Sequence, residues 1–416
     1  MGVEGRKIRT ISPGSKAIGM EKFKPRVNPT LDRCGGVALN SPFGKGGQGG
    51  FCFFVLLILL FLTACQTQPR LRVEPLPLYD AAFERTSGWT GGDGAYSMAL
   101  DGDRVFWLFG DTFVGRVENG RRVDSQLINN SAAIQTGSEP SDAALAFIYR
   151  TLSDGGPTAF LQPADSAGWL WPYHGVRTVE GLFLFLLQIE PTEGPAAFGF
   201  KLVSTWLGKV INPDEPAERW NVSQQKIPWG HERRLFGSSV LLQGDTCYIY
   251  GTVDEAAGGV MVKHMIVARV PAEKLGDFSA WRFFAGGDWV AEADRAGRVC
   301  ENVASEFSVS YQPAAGRYVL VYTEGGLSAN IVLRFSPRPE GPWGEAVRVY
   351  RCPEVGWDPR VFCYAAKGHP ELAAAADELI VTYMANATDF ALLESDARLY
   401  RPRFLRVTFS QKPLFD

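Results

Sequence analysis

The chain has 416 residues, of which 42 are basic and 45 are acidic, giving a formal net charge of −3 at pH 7. This length accommodates one large domain or two ordinary ones. The acidic balance argues against a nucleic-acid partner, because phosphate binding requires a basic surface.

Residues 1–64 are predicted to be a leader and a lipoprotein signal peptide that are removed. Residues 51–64 read FCFFVLLILLFLTA, an uncharged run shorter than the roughly 20 residues that a membrane-spanning helix requires. The tetrapeptide Leu62-Thr63-Ala64-Cys65 resembles the bacterial lipobox, whose cysteine is lipidated. The alternative is a chance cysteine after a membrane anchor. We expect a cell-envelope lipoprotein held in the membrane through Cys65, and Gln66 would permit outer-membrane sorting.

The segment 1–50 is long and polar for a signal peptide, so the true start is expected at Met20 or later. It contains nine basic and three acidic side chains. Its removal leaves 33 basic and 42 acidic residues, which is a net charge of −9. The mature protein is therefore expected to be more acidic than the whole chain, with no nucleic-acid partner.

Four cysteines remain after processing, namely Cys247, Cys300, Cys352 and Cys363. An exported compartment permits disulfides, and four cysteines allow three pairings. Cys352 and Cys363 flank a short loop and are the favoured pair. The chain has no Cys-x-x-Cys or close Cys/His spacing, which disfavours a zinc site.

Residues 65–84 are predicted to be a tether, and residues 85–416 a single all-β domain. Short apolar runs separated by Gly/Asp turns recur about every 65 residues, which is longer than the common propeller repeat of about 40–45 residues. Five such units predict a five-bladed β-propeller, with a β-sandwich or jelly roll as the alternative. The paired runs are 96–100 with 105–109, 175–179 with 182–189, 236–242 with 246–251, 307–311 with 318–322, and 365 onward with 379–384.

In a propeller, each first strand starts on the face where the second strand ends. Asp93 precedes the first strand of the first repeat, Asp111 follows its second strand, and Glu306 precedes the first strand of the fourth repeat. All three side chains are therefore expected to face one acidic cavity, where ligand sites of closed β architectures are usually found. Alternatively, Asp93 closes a glycine turn and Asp111 forms an Asx-turn.

Paired carboxylates in a cavity suit the cleavage of a glycosidic bond. One acid protonates the leaving oxygen while the other activates water, at about 5 Å for retention and roughly 6.5–9.5 Å for inversion. Neighbouring carboxylates raise one another's pKa, which keeps one protonated near neutral pH. We predict Asp93 as the base, Glu306 as the general acid and Asp111 as a pKa modulator. Positions on different blades favour inversion.

Several motifs resemble the bacterial family known as domain of unknown function 4185, over roughly Arg85 to Phe409: GGDGAYS, WLFGDTFVG, NNSAAIQ, SEFSVSY, YAAKGHPEL and VTYMAN. Some members of that family are endo-acting D-arabinan hydrolases, so the resemblance implies an arabinan-like polysaccharide substrate. The architecture is also similar to that of glycoside hydrolase family 43, whose base, acid and pKa modulator lie on three different blades. Asp93 matches the position of that base, whereas the second-blade start offers His174 instead of an aspartate.

Other polar and aromatic residues near the expected cavity are predicted to bind substrate. Lys367 could bind an anionic group or pair with Glu371. The predicted binding residues are Trp89, Tyr96, Asn130, Trp171, His174, Lys367, His369 and Glu371. No cofactor is expected, although a structural calcium ion would suit the abundant oxygen ligands.

The sequence thus predicts a monomeric lipoprotein that hydrolyses a polysaccharide or oligosaccharide. Two alternatives stay open, a propeller that binds a glycan or an envelope component without chemistry, and a structural role in envelope assembly. Serine hydrolase and phosphate-binding activities are disfavoured, because neither Gly-x-Ser-x-Gly nor a P-loop motif occurs.

Overall fold

The computed structural model describes residues 69–137, 144–193, 199–231 and 233–410. These residues belong to the second of the two units into which the chain divides, Thr67–Asp416. The predicted leader and Cys65 lie outside the described residues. Within the described part, no helix is both long enough and apolar enough to cross a membrane.

The described chain is all-β with few helices, as the sequence predicts. Its strands are β1 (Arg70–Pro75), β2 (Ser87–Gly92), β3 (Tyr96–Ala99), β4 (Arg104–Phe109), β5 (Thr112–Glu118), β6 (Arg121–Ile128), β7 (Ser131–Thr136), β8 (Ala144–Ile148), β9 (Arg150–Thr151), β10 (Pro157–Thr158), β11 (Trp169–Thr178), β12 (Gly181–Pro191), β13 (Phe200–Val210), β14 (Val222–Lys226), β15 (Arg234–Gln243), β16 (Thr246–Ala257), β17 (Val260–Pro271), β18 (Arg282–Ala285), β19 (Asp288–Val290), β20 (Cys300–Glu301), β21 (Phe307–Gln312), β22 (Arg317–Thr323), β23 (Asn330–Ser336), β24 (Val347–Arg351), β25 (Val361–His369), β26 (Glu378–Ala387) and β27 (Pro402–Ser410). The α-helices are α1 (Pro77–Ala82) and α2 (Phe390–Ser395). Short 3₁₀ turns cover Ala217–Arg219, Ala272–Lys274, Phe278–Ala280, Ala293–Arg295, Pro313–Ala315, Pro353–Gly356 and Pro370–Leu372.

Within the described residues, five antiparallel sheets contain four or more strands each. In order along the chain they are sheet 1 (β3-β4-β7-β8), sheet 2 (β11-β12-β13-β14), sheet 3 (β15-β16-β17-β18-β19, with β20 beside β17), sheet 4 (β21-β22-β23-β24) and sheet 5 (β25-β26-β27-β1). Two smaller sheets have the strand orders β2-β5-β6 and β9-β10. Each strand pair predicted from the sequence is found as the first two strands of one of the five large sheets.

Burial on both faces explains the apolar runs of the inner strands. Strand β12, for example, reads GLFLFLLQIEP, and its residues from Leu182 to Ile189 are buried without alternation. A sheet that faces solvent on one side would instead alternate apolar and polar residues. The apolar clusters cross from one sheet to the next, as where Tyr250 and Met265 of sheet 3 pack with Phe307 and Leu320 of sheet 4.

The first strands of the five sheets contact one another in cyclic order: β3 with β11, β11 with β15, β15 with β21, β21 with β25, and β25 with β3. Each contact carries a side-chain hydrogen bond, and we call these bonds the axial cycle. They join His174 Nε2 to the Ser97 carbonyl (2.9 Å), Val240 N–H to His174 Nδ1 (2.9 Å), Val309 N–H to Ser239 Oγ (2.9 Å), Gly368 N–H to Ser308 Oγ (2.6 Å), and the Ser97 hydroxyl to His369 Nδ1.

The predicted tether is wrong for most of its length, because residues 70–83 belong to the fold. Strand β1 pairs with β27 from Arg70↔Ser410 to Pro75↔Leu405. Leu71 and Val73 pack on the core of sheets 4 and 5, and Phe83, just after α1, is fully buried. Alternating apolar residues and an open edge of β27 explain this pairing. The first and last segments of the described chain therefore share one sheet.

The predicted disulfide between Cys352 and Cys363 is not formed in the structure. All four cysteines, Cys247, Cys300, Cys352 and Cys363, are buried free thiols. Cys352 and Cys363 are nevertheless neighbours, because the Cys363 thiol is within hydrogen-bonding reach of Cys352, and this contact together with burial raises the pKa of Cys363.

The axial cycle predicts a specific acid sensitivity, because a doubly protonated His174 cannot accept the Val240 N–H. Burial lowers the pKa of His174 from 6.5 to about 4. The stabilisation from the neutral ring is therefore complete above pH 6.5 and is lost as the pH falls towards 4. One such group changes the free energy of unfolding by about 3 kcal/mol across this window.

Urea unfolding at several pH values between 4 and 7 measures this dependence. The variant His174→Gln has a similar donor and acceptor but does not titrate, so its stability should fall less steeply with decreasing pH. His231 is exposed, and the control His231→Gln should keep the slope of the wild type. Equal slopes for the wild type and His174→Gln would contradict this role of His174.

Candidate active site

A glycine-rich turn places Asp93 beside Asp111. The Asp93 N–H donates to the Asp111 carbonyl (2.9 Å), and the Gly110 N–H donates to the Asp93 carbonyl (2.8 Å). Gly94 has φ +85°, which glycine adopts without strain. A Cβ on Gly94 would stand 3.6 Å from Glu306 Oε1. Asp93, Asp111 and Glu306, which we call the acid cluster, therefore lie around one turn.

The Asp93 carboxyl is held by two phenols. The Tyr364 hydroxyl donates to Asp93 Oδ1, and the Tyr400 hydroxyl lies 3.5 Å from Oδ2. Burial, and then the like charge of Glu306, raise the pKa of Asp93 to about 7. Asp111 contributes further in the same direction. Asp93 can consequently carry a proton near neutral pH, as a general acid must.

Asp111 lies against a half-buried tryptophan. The Trp171 Nε1–H donates to Asp111 Oδ1 at 2.7 Å. Burial raises the pKa of Asp111 to about 6, and hydrogen bonds from Trp171 and Asn129 oppose the rise. Trp171 packs edge-on against Phe200, with ring centroids 4.7 Å apart. Asp111 thus connects the acid cluster to an aromatic surface.

Glu306 is paired with a buried cation. The Lys367 ammonium donates to Glu306 Oε1 and to the Ala365 carbonyl, each at 3.0 Å. The side chain of Lys367 is only 2% exposed, whereas that of Glu306 is 22% exposed. The ammonium also lies 4.1 Å from the centroid of the Tyr96 ring. Glu306 is thus the member of this ion pair that solvent can reach.

A β-bulge in β25 places Tyr364 and Lys367 on the same side of their strand. The register with β26 shifts between these two residues, and Ala365 has the left-handed φ of +57°. In a regular strand, residues three apart would point to opposite faces. Ala95 and Tyr400 are also left-handed, with φ of +52° and +65°. Such strain is concentrated at functional sites.

One cavity opens at Glu306, and a second is lined by Asn129, which bonds to Asp111. The larger, of about 500 Å³, is lined by Glu306 and Tyr364 together with Lys263, Ala304 and Leu327, among others. The smaller, of about 190 Å³, is lined by Asn129 and Trp169 on the side of Asp111. The larger has the usual size of a small-ligand site.

Some predicted binding residues lie outside the accessible site. Trp89 is 1% exposed and stacks on Phe147 with ring centroids 4.4 Å apart, so it belongs to the core. Asn130 is fully buried and donates to the carbonyls of Leu161 and Leu170. The sequence interpretation of these two residues as substrate-binding is wrong, because close packing leaves no room for a ligand.

The predicted histidines and Glu371 lie at the axis and serve the contacts between sheets. His174 uses both ring nitrogens in the axial cycle. His369 Nε2 bonds to Thr382 Oγ1 (2.6 Å), and the Ser97 hydroxyl donates to Glu371. Tyr96 is buried beneath Lys367. Of the eight predicted binding residues, Trp171 donates a hydrogen bond to Asp111 and Lys367 donates one to Glu306.

Sequence reasoning missed Tyr364, Tyr400 and Asn129. Tyr364 is part of the YAAKGHPEL motif and Asn129 stands next to Asn130 in NNSAAIQ, so both carried a signal. Tyr400 lies in the loop after α2 and belongs to no motif that the sequence analysis singled out. No group of three or more His, Cys, Asp and Glu side chains is arranged to hold a metal ion among the described residues, and the suggested calcium ion stays untested.

A family model described as "Domain of unknown function (DUF5005)" matches residues 77–409. The motifs resemble a different family, domain of unknown function 4185, and that resemblance stays a prediction. No curated protein sequence matches the chain.

Among solved structures, a candidate hydrolase from Bacteroides ovatus ATCC 8483 has a TM-score of 0.63 at 18% identity, over 81% of this chain and 90% of that chain. This likeness shows a shared fold. The catalytic domain of a GH62 alpha-L-arabinofuranosidase from Coprinopsis cinerea has a TM-score of 0.45 at 9% identity, covering 82% and 97%. A GH43_1 enzyme from Xanthomonas citri has a TM-score of 0.42 at 15% identity, covering 79% and 93%.

The raised pKa of Asp93 predicts that this side chain destabilises the folded protein at neutral pH. Between pH 3.8 and about 7 the folded chain retains a proton that the unfolded chain releases, so the contribution of Asp93 is complete below pH 3.8 and is lost as the pH rises to 7. Asp93→Asn keeps an oxygen for Tyr364 and removes the charge. We expect it to increase the free energy of unfolding at pH 8 by on the order of 2 kcal/mol.

Denaturant unfolding at pH 5 and pH 8 checks this prediction. The control Asp101→Asn removes an exposed carboxylate that pairs with Arg104 and should not stabilise the protein at either pH. A loss of stability at pH 8 in Asp93→Asn would show that the carboxylate is not strained in the folded state.

Proposed function

We propose a function for a chain that belongs to the family described as domain of unknown function DUF5005: it is an exported lipoprotein glycoside hydrolase that cleaves a polysaccharide. The observation that carries this proposal is the meeting of Asp93, Asp111 and Glu306 around one turn, with Glu306 lining a cavity of about 500 Å³. Burial and Glu306 also raise the pKa of Asp93 to about 7. Carboxyl groups with separated protonation states are what glycosidic cleavage requires.

We interpret the five large sheets as the blades of a five-bladed β-propeller. The cyclic contacts of the first strands and the axial cycle support this interpretation. It explains why a turn of sheet 1 and the residue before sheet 4 meet at one site. The description of the Bacteroides ovatus neighbour as a candidate hydrolase agrees with the proposed activity.

The substrate is proposed to be an arabinan-like polysaccharide, from the motif resemblance to domain of unknown function 4185. The larger cavity beside Glu306 and the aromatic surface at Trp171 could each receive part of the glycan. The half-buried Trp171 ring could stack on a sugar, while its N–H holds Asp111. The enzyme would act in the cell envelope as a monomer, anchored through lipid on Cys65.

Digestion of a panel of envelope and plant polysaccharides by the full-length protein tests this function. We expect the wild type to release reducing ends, and Asp93→Asn, Asp111→Asn and Glu306→Gln each to lose activity, by roughly 10²–10⁴-fold for the two residues that transfer protons. The control Glu273→Gln changes an exposed acid in a 3₁₀ turn and should retain full activity.

Two outcomes would favour the alternatives. Retention of a glycan without cleavage by the wild type or any variant would indicate a binding protein. Binding of neither glycan nor product, with a stoichiometric envelope protein partner, would indicate a role in assembly.

We also expect inversion at the anomeric carbon, because Asp93 and Glu306 come from different sheets. Proton NMR of the first-formed hemiacetal, recorded before mutarotation, reads the configuration directly. Retention would contradict inversion and indicate a carboxylate spacing of about 5 Å.

A further inference from the structure

Among the described residues, Lys367 bonds directly to Glu306, whereas it acts on Asp93 only through its charge, which lowers the pKa of Asp93. The Lys367 ammonium donates to Glu306 Oε1 at 3.0 Å. Among the described side chains, the hydrogen bonds to the Asp93 carboxyl come from the phenols of Tyr364 and Tyr400. Burial raises the pKa of both tyrosines, so these donors stay neutral. A charge-assisted bond stabilises a carboxylate more strongly than a neutral donor does.

Lys367 is placed to act on the acid cluster and not on the substrate. Its side chain is 2% exposed, so an anionic ligand could not reach it without displacing Glu306. The Tyr96 ring and the Ala365 carbonyl occupy the other sides of the ammonium. The sequence interpretation, in which Lys367 binds an anion or pairs with Glu371, is therefore replaced by an ion pair with Glu306.

Charged and titratable groups surround Lys367 from several neighbouring elements. Burial lowers the pKa of His174 on β11 and of His369 on β25, and the Lys367 charge lowers both further, so both rings are neutral. Glu306 and Asp93 are the anionic groups whose charge opposes the effect of burial on Lys367. Burial and the charge of Glu306 raise the pKa of Tyr96 on β3, which keeps this phenol neutral as well.

We propose that Lys367 is a positioning residue that fixes the protonation pattern of the acid cluster: it holds Glu306 ionised as the base and leaves the catalytic proton on Asp93 as the acid. This inference rests on the proposed glycosidase function. It exchanges the roles that the sequence assigned to Asp93 and Glu306. Asp111 keeps its role as modulator, because its charge adds to the preference of Asp93 for a proton.

The reaction balances with these roles. Asp93 gives its proton to the glycosidic oxygen as the bond between that oxygen and the anomeric carbon breaks. Glu306 takes a proton from a water molecule as the water oxygen bonds to the anomeric carbon. The products are two glycans, an ionised Asp93 and a protonated Glu306, and exchange with solvent restores the starting state.

The first test measures protonation of the carboxyl groups directly and does not require a substrate. Carboxyl ¹³C shifts of labelled Asp and Glu are titrated in the full-length protein, with Asp93→Asn and Glu306→Gln assigning the two signals. We expect Asp93 to hold its proton to higher pH than Glu306. In Lys367→Met the carboxyl signal of Glu306 should change, because the ammonium 3.0 Å from its Oε1 is removed. A wild type in which Glu306 titrates above Asp93 would overturn the proposal, whatever the activity.

The second test separates the two roles by substrate. With an activated aryl glycoside, whose leaving group needs no proton, Asp93→Asn should retain most of the wild-type rate while losing the natural substrate. Glu306→Gln should be rescued by azide, with a glycosyl azide as product. If Glu306→Gln instead retained the activated substrate and Asp93→Asn were rescued by azide, Asp93 would be the base and Glu306 the acid, as predicted from the sequence. Absence of any wild-type hydrolysis would instead refute the proposed function and leave the titration result standing.

The pH–rate profile tests Lys367 directly. Lys367→Met should shift the acidic limb of kcat/KM to higher pH, and Lys367→Arg, which keeps the cation, should restore it. The matched control is Lys209→Met, because Lys209 is a partly exposed lysine that pairs with Glu180 at 3.7 Å and lies outside the proposed site. Thermal unfolding identifies variants that fail to fold. An unchanged acidic limb in folded Lys367→Met would refute the positioning role.

Discussion

The axial cycle of hydrogen bonds is the constraint on which the rest of the structure depends. The first strands of the five large sheets contact one another, and such close contacts leave polar backbone groups that need partners away from water. Ser97, His174, Ser239, Ser308 and His369 supply partners across each contact. Residues that are distant along the chain, such as Asp93 and Glu306, become neighbours as a consequence.

The two ends of the described chain also lie in one sheet. Strand β1 supplies the outer strand of sheet 5, whose first strand β25 carries Tyr364 and Lys367. The segment that leads towards Cys65 is thus built into the sheet that bears half of the candidate site.

The candidate site is costly for the folded protein. Burial and like charge raise the pKa of Asp93, Lys367 is a buried cation, and Ala365 and Tyr400 adopt left-handed backbone conformations. Each of these features lies beside the same carboxyl groups. Proteins keep such unfavourable features where activity requires them.

The sequence by itself determined the all-β class, the five strand pairs and the candidate acids Asp93, Asp111 and Glu306. These rest on apolar runs and Gly/Asp turns, which act over a few neighbouring residues. Only the tertiary structure decided that Trp89 and Asn130 are core, that residues 70–83 are folded, and that Lys367 pairs with Glu306 rather than Glu371. A one-residue bulge at Ala365 turns Lys367 towards its partner. Such a bulge, and the burial of each polar group, depend on contacts between distant sheets that no local pattern contains.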